Sequence, residues 1–196
     1  MILFALPLLF VLGFFLLLVV FVVLIQLRVL SYAYRKIGVP PRYMLLVLLL
    51  SLIGSGINLP LYVDHGSVVA INVGGALLPI LLSLYLFTRT GLQGRMIIAT
   101  AIVAIIVHAL ARIVPGQGIA VPILVPPLAA AGIALLLSFR RAPPVAYVAG
   151  SMGTLIGADI MNLHRVVQLG APVLSIGGSG KFDAVFLTGI IAGLIS

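Results

Sequence analysis

From residue 2 to residue 27 the chain carries no charged side chain, and the run is built mostly of Leu, Val, Phe and Ile. A helix that crosses a bilayer needs about 20 mainly apolar residues, so this run is long enough to span. It has no basic leading segment, its apolar stretch is too long for a signal peptide, and no small-x-small cleavage site follows, so it reads as an uncleaved span. The same criterion picks out 43–63, 68–88, 96–114, 119–139, 144–163 and 173–195. The whole chain agrees: it is 63% hydrophobic and 7% charged, where a soluble domain carries about 25% charged residues. The expected fold is all-α, a polytopic transmembrane helical bundle of about seven spans forming a single membrane domain over residues 1–196. A six-span version with one re-entrant segment stays open, because Pro122, Pro126 and Pro127 crowd the fifth span.

Eleven Lys and Arg stand against three acids, a formal charge of +8. In a membrane protein such an excess reports topology rather than nucleic-acid binding, so no nucleic-acid partner is expected and membrane lipid is. The seven-span arrangement puts Arg28, Arg35, Lys36, Arg42, Arg89, Arg95, Arg140 and Arg141 on one side, and Arg112, Arg165 and Lys181 at or near the other. The positive-inside rule then predicts an outside N-terminus and a cytoplasmic C-terminus. The absence of cysteine excludes disulfides, thiolate nucleophiles and thiolate metal sites.

Shifting the chain on itself by 103 residues aligns Leu52-Ile53-Gly54 with Leu155-Ile156-Gly157, Ile57 with Ile160, Val63 with Val166, and Gly74-Gly75 with Gly177-Gly178. The register predicts repeat units 43–88 and 144–195, parallel in a seven-span arrangement. In this alignment Gly56 faces Asp159 and Ile80 faces Asp183, so at these two positions the second unit carries acids and the first does not.

An ionisable group inside a span costs about 2.5–3.5 kcal/mol on insertion scales and marks a functional interior. Asp159 falls near the outer end of the sixth span and Asp183 on the seventh, which returns from that side. Two adjacent carboxylates share a proton, one acting as base for a water and the other as acid, which is what aspartyl proteolysis requires. Gly178 and Gly180 would let a substrate backbone approach closely, Asn162 would orient a substrate carbonyl, and Lys181 completes the substrate-binding group. Two other readings of the same residues stay open. The acids are proton or cation ligands of a transporter or channel, or Lys181 pairs with Asp159 as a buried structural salt bridge. No metal site and no cofactor are expected.

The remaining polar residues read more simply. Asp64-His65 belongs to a solvated outer loop, His164-Arg165 is an interfacial anchor, and His108 is a core histidine with its hydrogen bonds made. Asn58 and Asn162 bridge helices. Gly178-Ser179-Gly180 lacks the spacing of a phosphate loop.

The chain resembles an uncharacterised prokaryotic domain-of-unknown-function family of small multi-span membrane proteins. The likeness rests on Asn72-Val73-Gly74-Gly75-Ala76, on Leu155-Ile156-Gly157-Ala158-Asp159 with Asn162-Leu163, and on Ser175 through Asp183 followed by Phe186-Leu187-Thr188-Gly189. It implies a prokaryotic cell membrane and no particular activity. The paired acids are also similar to those of presenilin-like and signal-peptide-peptidase-like (GxGD) proteases, which carry one catalytic Asp on the sixth span and another within Gly-x-Gly-Asp on the seventh. That resemblance implies Asp159 and Asp183 as the dyad, with Gly178 and Gly180 as the motif's glycines. Here Asp183 follows the second glycine by three positions instead of one, no Tyr precedes Asp159, and the later spans with their Pro-Ala-Leu motif are absent.

The leading expectation is therefore an intramembrane di-aspartyl protease, an aspartic endopeptidase that cleaves transmembrane or signal-peptide-like helices. The alternatives are a proton- or cation-coupled transporter or channel for a small ion or solute, and a non-catalytic membrane assembly protein.

Overall fold

The computed structural model describes residues 2–64, 66–114, 118–167, 173–178 and 184–196. Helix α1 (Ile2–Ile37) is followed by α2 (Met44–Gly54), strands β1 (Asn58–Asp64) and β2 (Ser67–Asn72), a π-helical turn (Val73–Leu77) and α3 (Leu78–Thr90). Then come α4 (Gln93–Leu110), a small hairpin of β3 (Arg112–Val114) and β4 (Gly118–Ala120), and α5 (Val125–Ser138). Helix α6 (Ala142–Thr154) runs into a second π-helical turn (Leu155–Ile160), and α7 (Leu163–Val167), β5 (Val173–Ile176) and α8 (Ala184–Ile195) complete the order.

The protein is a predominantly helical membrane protein. Phe15–Ile37, Val73–Thr90, Gln93–Leu110 and Val125–Ile160 are long and apolar enough to cross a membrane, the last passing through the turn Phe139–Arg141 from α5 into α6. Two shorter apolar helices, Pro41–Gly54 and Val185–Ile195, accompany them.

Five expected spans run partly into strand: 96–114 ends in β3, 119–139 begins in β4, and three others differ further. The segment 43–63 is helical only to Gly54 and continues as β1; 68–88 begins as β2; 173–195 begins as β5. Gly54, Gly56 and Pro60 interrupt the first of these, since glycine weakens a helix and proline removes a donor. The β-branched Val68, Val69 and Ile71 favour a pleated conformation in the second. Strand β2 is central in a three-stranded sheet, antiparallel to β1 and parallel to β5.

Helix α6 lies at the centre of the bundle, buried without a break from Pro144 to Ser151 and packed by α3, α4, α5 and α8. Its Ala146, Ala149, Gly150 and Gly153 let the neighbours approach closely, the usual means of association where lipid is as apolar as the helices. Helix α1, by contrast, is exposed along Phe15–Ile25, and from there to its end its fully buried residues are Ala33, Tyr34 and Ile37.

Six basic residues gather at one end of this bundle. Arg35 and Lys36 close α1, Arg89 closes α3, Arg95 opens α4, and Arg140 and Arg141 join α5 to α6. They tie the helix ends together: Lys36 Nζ donates to Leu194 O at 2.8 Å, Arg141 Nη2 to Thr90 O at 2.7 Å, and Arg95 Nη1 to Ser138 Oγ at 3.0 Å. The three-stranded sheet lies towards the other end, since β1 continues from the far end of α2 and β5 reaches Asp159 at the far end of α6.

Candidate functional site

The two segments related by the 103-residue shift meet at the sheet. Strands β2 and β5 run side by side, Val68 opposite Val173 and Ile71 opposite Ile176. Beyond them Gly177, at φ +72°, sits on Gly75-Ala76; a Cβ there would lie 2.6 Å from Ala76 Cβ and 2.7 Å from Ala76 N. Only glycine satisfies both the left-handed backbone and this approach.

Asn72 stabilises the junction. Its Oδ1 accepts from Gly75 N at 2.8 Å and caps the π-helical turn, while its Nδ2 donates to Ser55 O at 2.8 Å and Asn58 Oδ1 at 2.9 Å. Ser175 Oγ also donates to Asn58 Oδ1. Asn58 thus links strands rather than helices. Asn162 also departs from the expected helix bridge: its Nδ2 donates to Gly157 O and Ala158 O, both at 2.9 Å, and closes the carbonyls of the turn that precedes it. It does not line the cavity described below.

Asp159 lies in the π-helical turn that ends α6, and its Oδ2 accepts from Gly177 N at 2.7 Å. Such turns widen a helix by one residue and recur at functional sites. The carboxylate joins the end of α6 to the end of β5 and forms part of the wall of a cavity of about 280 Å³. Ile119, Val121, Ile123 and Pro126 close one side of the cavity, and Val185, Leu187 and Ile191 another. Its polar rim consists of Asp159, Thr154, Thr188 and the Gly177 backbone, and none of the described residues lining it is basic. A second cavity of about 490 Å³, beside Leu110, Arg112 and Pro122, shares Ala120 and Val121 with the first.

Of the expected site residues, Asp159 is therefore on the cavity, Gly178 packs against Ser175 and Asn72, and Asn162 braces the turn. Asp183, Lys181 and Gly180 lie outside the described residues, as does His65. Asp64 pairs with Ser67 across the β1–β2 hairpin, and His164 and Arg165 are exposed on α7. His108 departs from expectation: its Nδ1 is buried without a hydrogen-bond partner.

The hydropathy pattern did not reveal Thr154 and Thr188. Both sit in apolar runs, and the available signal is positional: Thr154 lies seven residues after Tyr147 and three after Ser151, on one helical face. Among the described residues no group of three His, Cys, Asp or Glu could hold a metal ion. No curated protein and no solved structure matches the chain, and the likeness to presenilin-like proteases is not shown by these comparisons. A family model described as protein of unknown function (DUF1614) matches residues 42–195, from the start of α2 to the end of α8, and the protein belongs to that family.

Proposed function

We propose that the protein is a proton-coupled carrier of a small solute, with Asp159 as its proton-binding group. The observation that carries this reading is the position of Asp159: a carboxylate on the wall of a largely apolar cavity, where a widened helix and the end of a strand meet. Interrupted spans in corresponding places of two related units are a recurrent setting for substrate and ion sites in carriers. The shared wall with the larger cavity supports an access route from the sheet end.

The test is purified protein in liposomes that contain a pH-sensitive dye. An imposed pH gradient is expected to collapse faster than in protein-free vesicles. Equal rates under every gradient tried, inside-acid and inside-alkaline, with and without a membrane potential, would overturn the reading.

One observation favours a second reading, the di-aspartyl protease. Val185, two residues after Asp183 in the chain, lines the same cavity as Asp159. That reading requires cleavage of a model transmembrane peptide by the purified protein, abolished by Asp159→Asn and by Asp183→Asn separately.

The proposed setting is the prokaryotic cell membrane, with the basic end of the bundle cytoplasmic. The clustering of Arg35, Lys36, Arg89, Arg95, Arg140 and Arg141 at one end supports this under the positive-inside rule. Because the chain has no cysteine, a single introduced thiol reports its own side. A membrane-impermeant maleimide is expected to label Tyr62→Cys in intact cells and Ser196→Cys only after lysis. The reverse pattern would invert the topology.

A further inference from the structure

The walls of the Asp159 cavity select what it can hold. Among the described residues that line it Asp159 alone ionises, and its Oδ2 accepts from Gly177 N. A backbone amide leaves the negative charge in place, and a carboxylate against aliphatic walls is stable only when it is protonated or paired with a cation. On the same wall Thr154 is 4% exposed, and its Oγ1 has no hydrogen-bond partner among the described residues. A helical threonine can return its hydroxyl to the carbonyl four residues back. Thr154 does not, and a buried hydroxyl left unpaired is costly.

The widened helix brings these two groups together. Thr154 and Asp159 are five residues apart, which in a regular α-helix turns their side chains about 140° from each other. The turn Leu155–Ile160 is π-helical, and its i→i+5 repeat returns Asp159 to the face of Thr154, so both line one space. Helix α8 contributes Thr188, set between Val185 and Ile191 at three-residue spacing on one face. Ile119, Val121 and Ile123 add branched aliphatic wall, and no described lining residue is aromatic. At about 280 Å³ the cavity lies at the small end of ligand sites, which run about 300–1,000 Å³.

We propose that the solute is a small aliphatic primary amine, bound as its ammonium ion between Asp159, Thr154 and Thr188. The ammonium brings a positive charge and three N–H donors to a site that offers a carboxylate and hydroxyl oxygens, and its alkyl group meets the aliphatic walls. A quaternary ammonium has no N–H to give, and the described walls hold none of the aromatic faces that bind such cations. A neutral solute leaves the carboxylate unpaired. Binding also supplies the coupling: when the ammonium takes the place of a proton on Asp159, that proton leaves to water, one for one, and no bond of the amine is broken. The substrate class rests on the carrier reading for its transport, but binding to the site is measurable without transport.

The test is calorimetric titration of the purified protein, in nanodiscs of zwitterionic lipid, with cyclohexylammonium, cyclohexyltrimethylammonium and cyclohexanol. Saturable binding of cyclohexylammonium is expected, roughly tenfold or more tighter than that of the other two, which cannot make charged hydrogen bonds. Asp159→Asn is expected to weaken it roughly thirtyfold or more, the loss of a buried charge partner, and Thr154→Val about tenfold, the effect of one hydrogen bond to a charged group. Thr154→Val keeps the side-chain shape and removes an unpartnered hydroxyl, so its melting temperature without amine should hold, which separates contact with the ligand from support of the fold. No saturable binding of cyclohexylammonium, equal binding of all three probes, or binding indifferent to either substitution overturns the assignment. So does binding that emerges only in Lys181→Met, since Lys181 would then be the cation on Asp159. Collapse of an imposed pH gradient without amine binding overturns the substrate class and leaves a carrier of another solute; amine binding that needs Asp159, without any flux, upholds the site and removes the carrier.

Discussion

Replacing Gly157 with valine is expected to destabilise the protein strongly. A Cβ at Gly157 would strike the Ala104 carbonyl oxygen and lie 3.0 Å from both Ala104 C and Ala104 Cα. All three are backbone atoms, so no side chain can rotate away and α4 itself must shift. Overpacking of this kind costs about 3 kcal/mol at the upper part of its usual range, a fall in melting temperature of roughly 6–12 °C for a chain of this size. Gly132→Ala supplies the comparison, because a Cβ there meets nothing within 4 Å. It is expected to stay within about 1 kcal/mol of the parent protein, helix propensity favouring alanine. Thermal unfolding of both variants in the same detergent measures the difference. Equal melting temperatures would mean that α4 and the end of α6 are not in backbone contact. Activity should also suffer in Gly157→Val, since Asp159 is two residues along the same π-helical turn.

The sequence makes the helices visible and hides the strands, for a physical reason. Hydropathy measures transfer out of water, and Leu59, Val63, Val68, Val69 and Ile71 are as apolar in a strand as in a helix. What distinguishes 43–63 from a true span is its punctuation by Gly54, Gly56 and Pro60, a backbone signal that a hydropathy window averages away. Asp159 is legible because a carboxylate in an apolar run is expensive and therefore conspicuous. The cavity around it is not legible, since Ile119–Val121, Thr154, Gly177 and Val185–Ile191 come from four separate stretches of chain. The glycine pairs are legible only as a repeat. Their contact, with Gly177 seated on Gly75-Ala76, depends on β2 and β5 pairing in parallel, which no local pattern specifies.

Asp159→Asn should separate chemistry from architecture at this site. The asparagine carbonyl oxygen occupies the place of Oδ2 and still accepts from Gly177 N, so the link between α6 and β5 is retained. A stability change within about 1 kcal/mol is expected. What the amide cannot do is take up and release a proton, and losing a group that moves protons typically costs roughly a hundredfold in rate. Proton flux through proteoliposomes should fall by that order while the melting temperature holds. Asp159→Ala removes the acceptor as well and leaves the Gly177 amide unpaired, which costs about 1–3 kcal/mol, so it should lose both flux and stability. If the carboxylate served only to hold the turn to the strand, Asp159→Asn would keep everything that Asp159→Ala loses, and the carrier would have to work through another group. Asp183→Asn distinguishes the two functional readings. A protease needs both carboxylates and loses peptide cleavage with either substitution. A carrier whose proton resides on Asp159 keeps its dependence on that residue whether or not Asp183 can ionise.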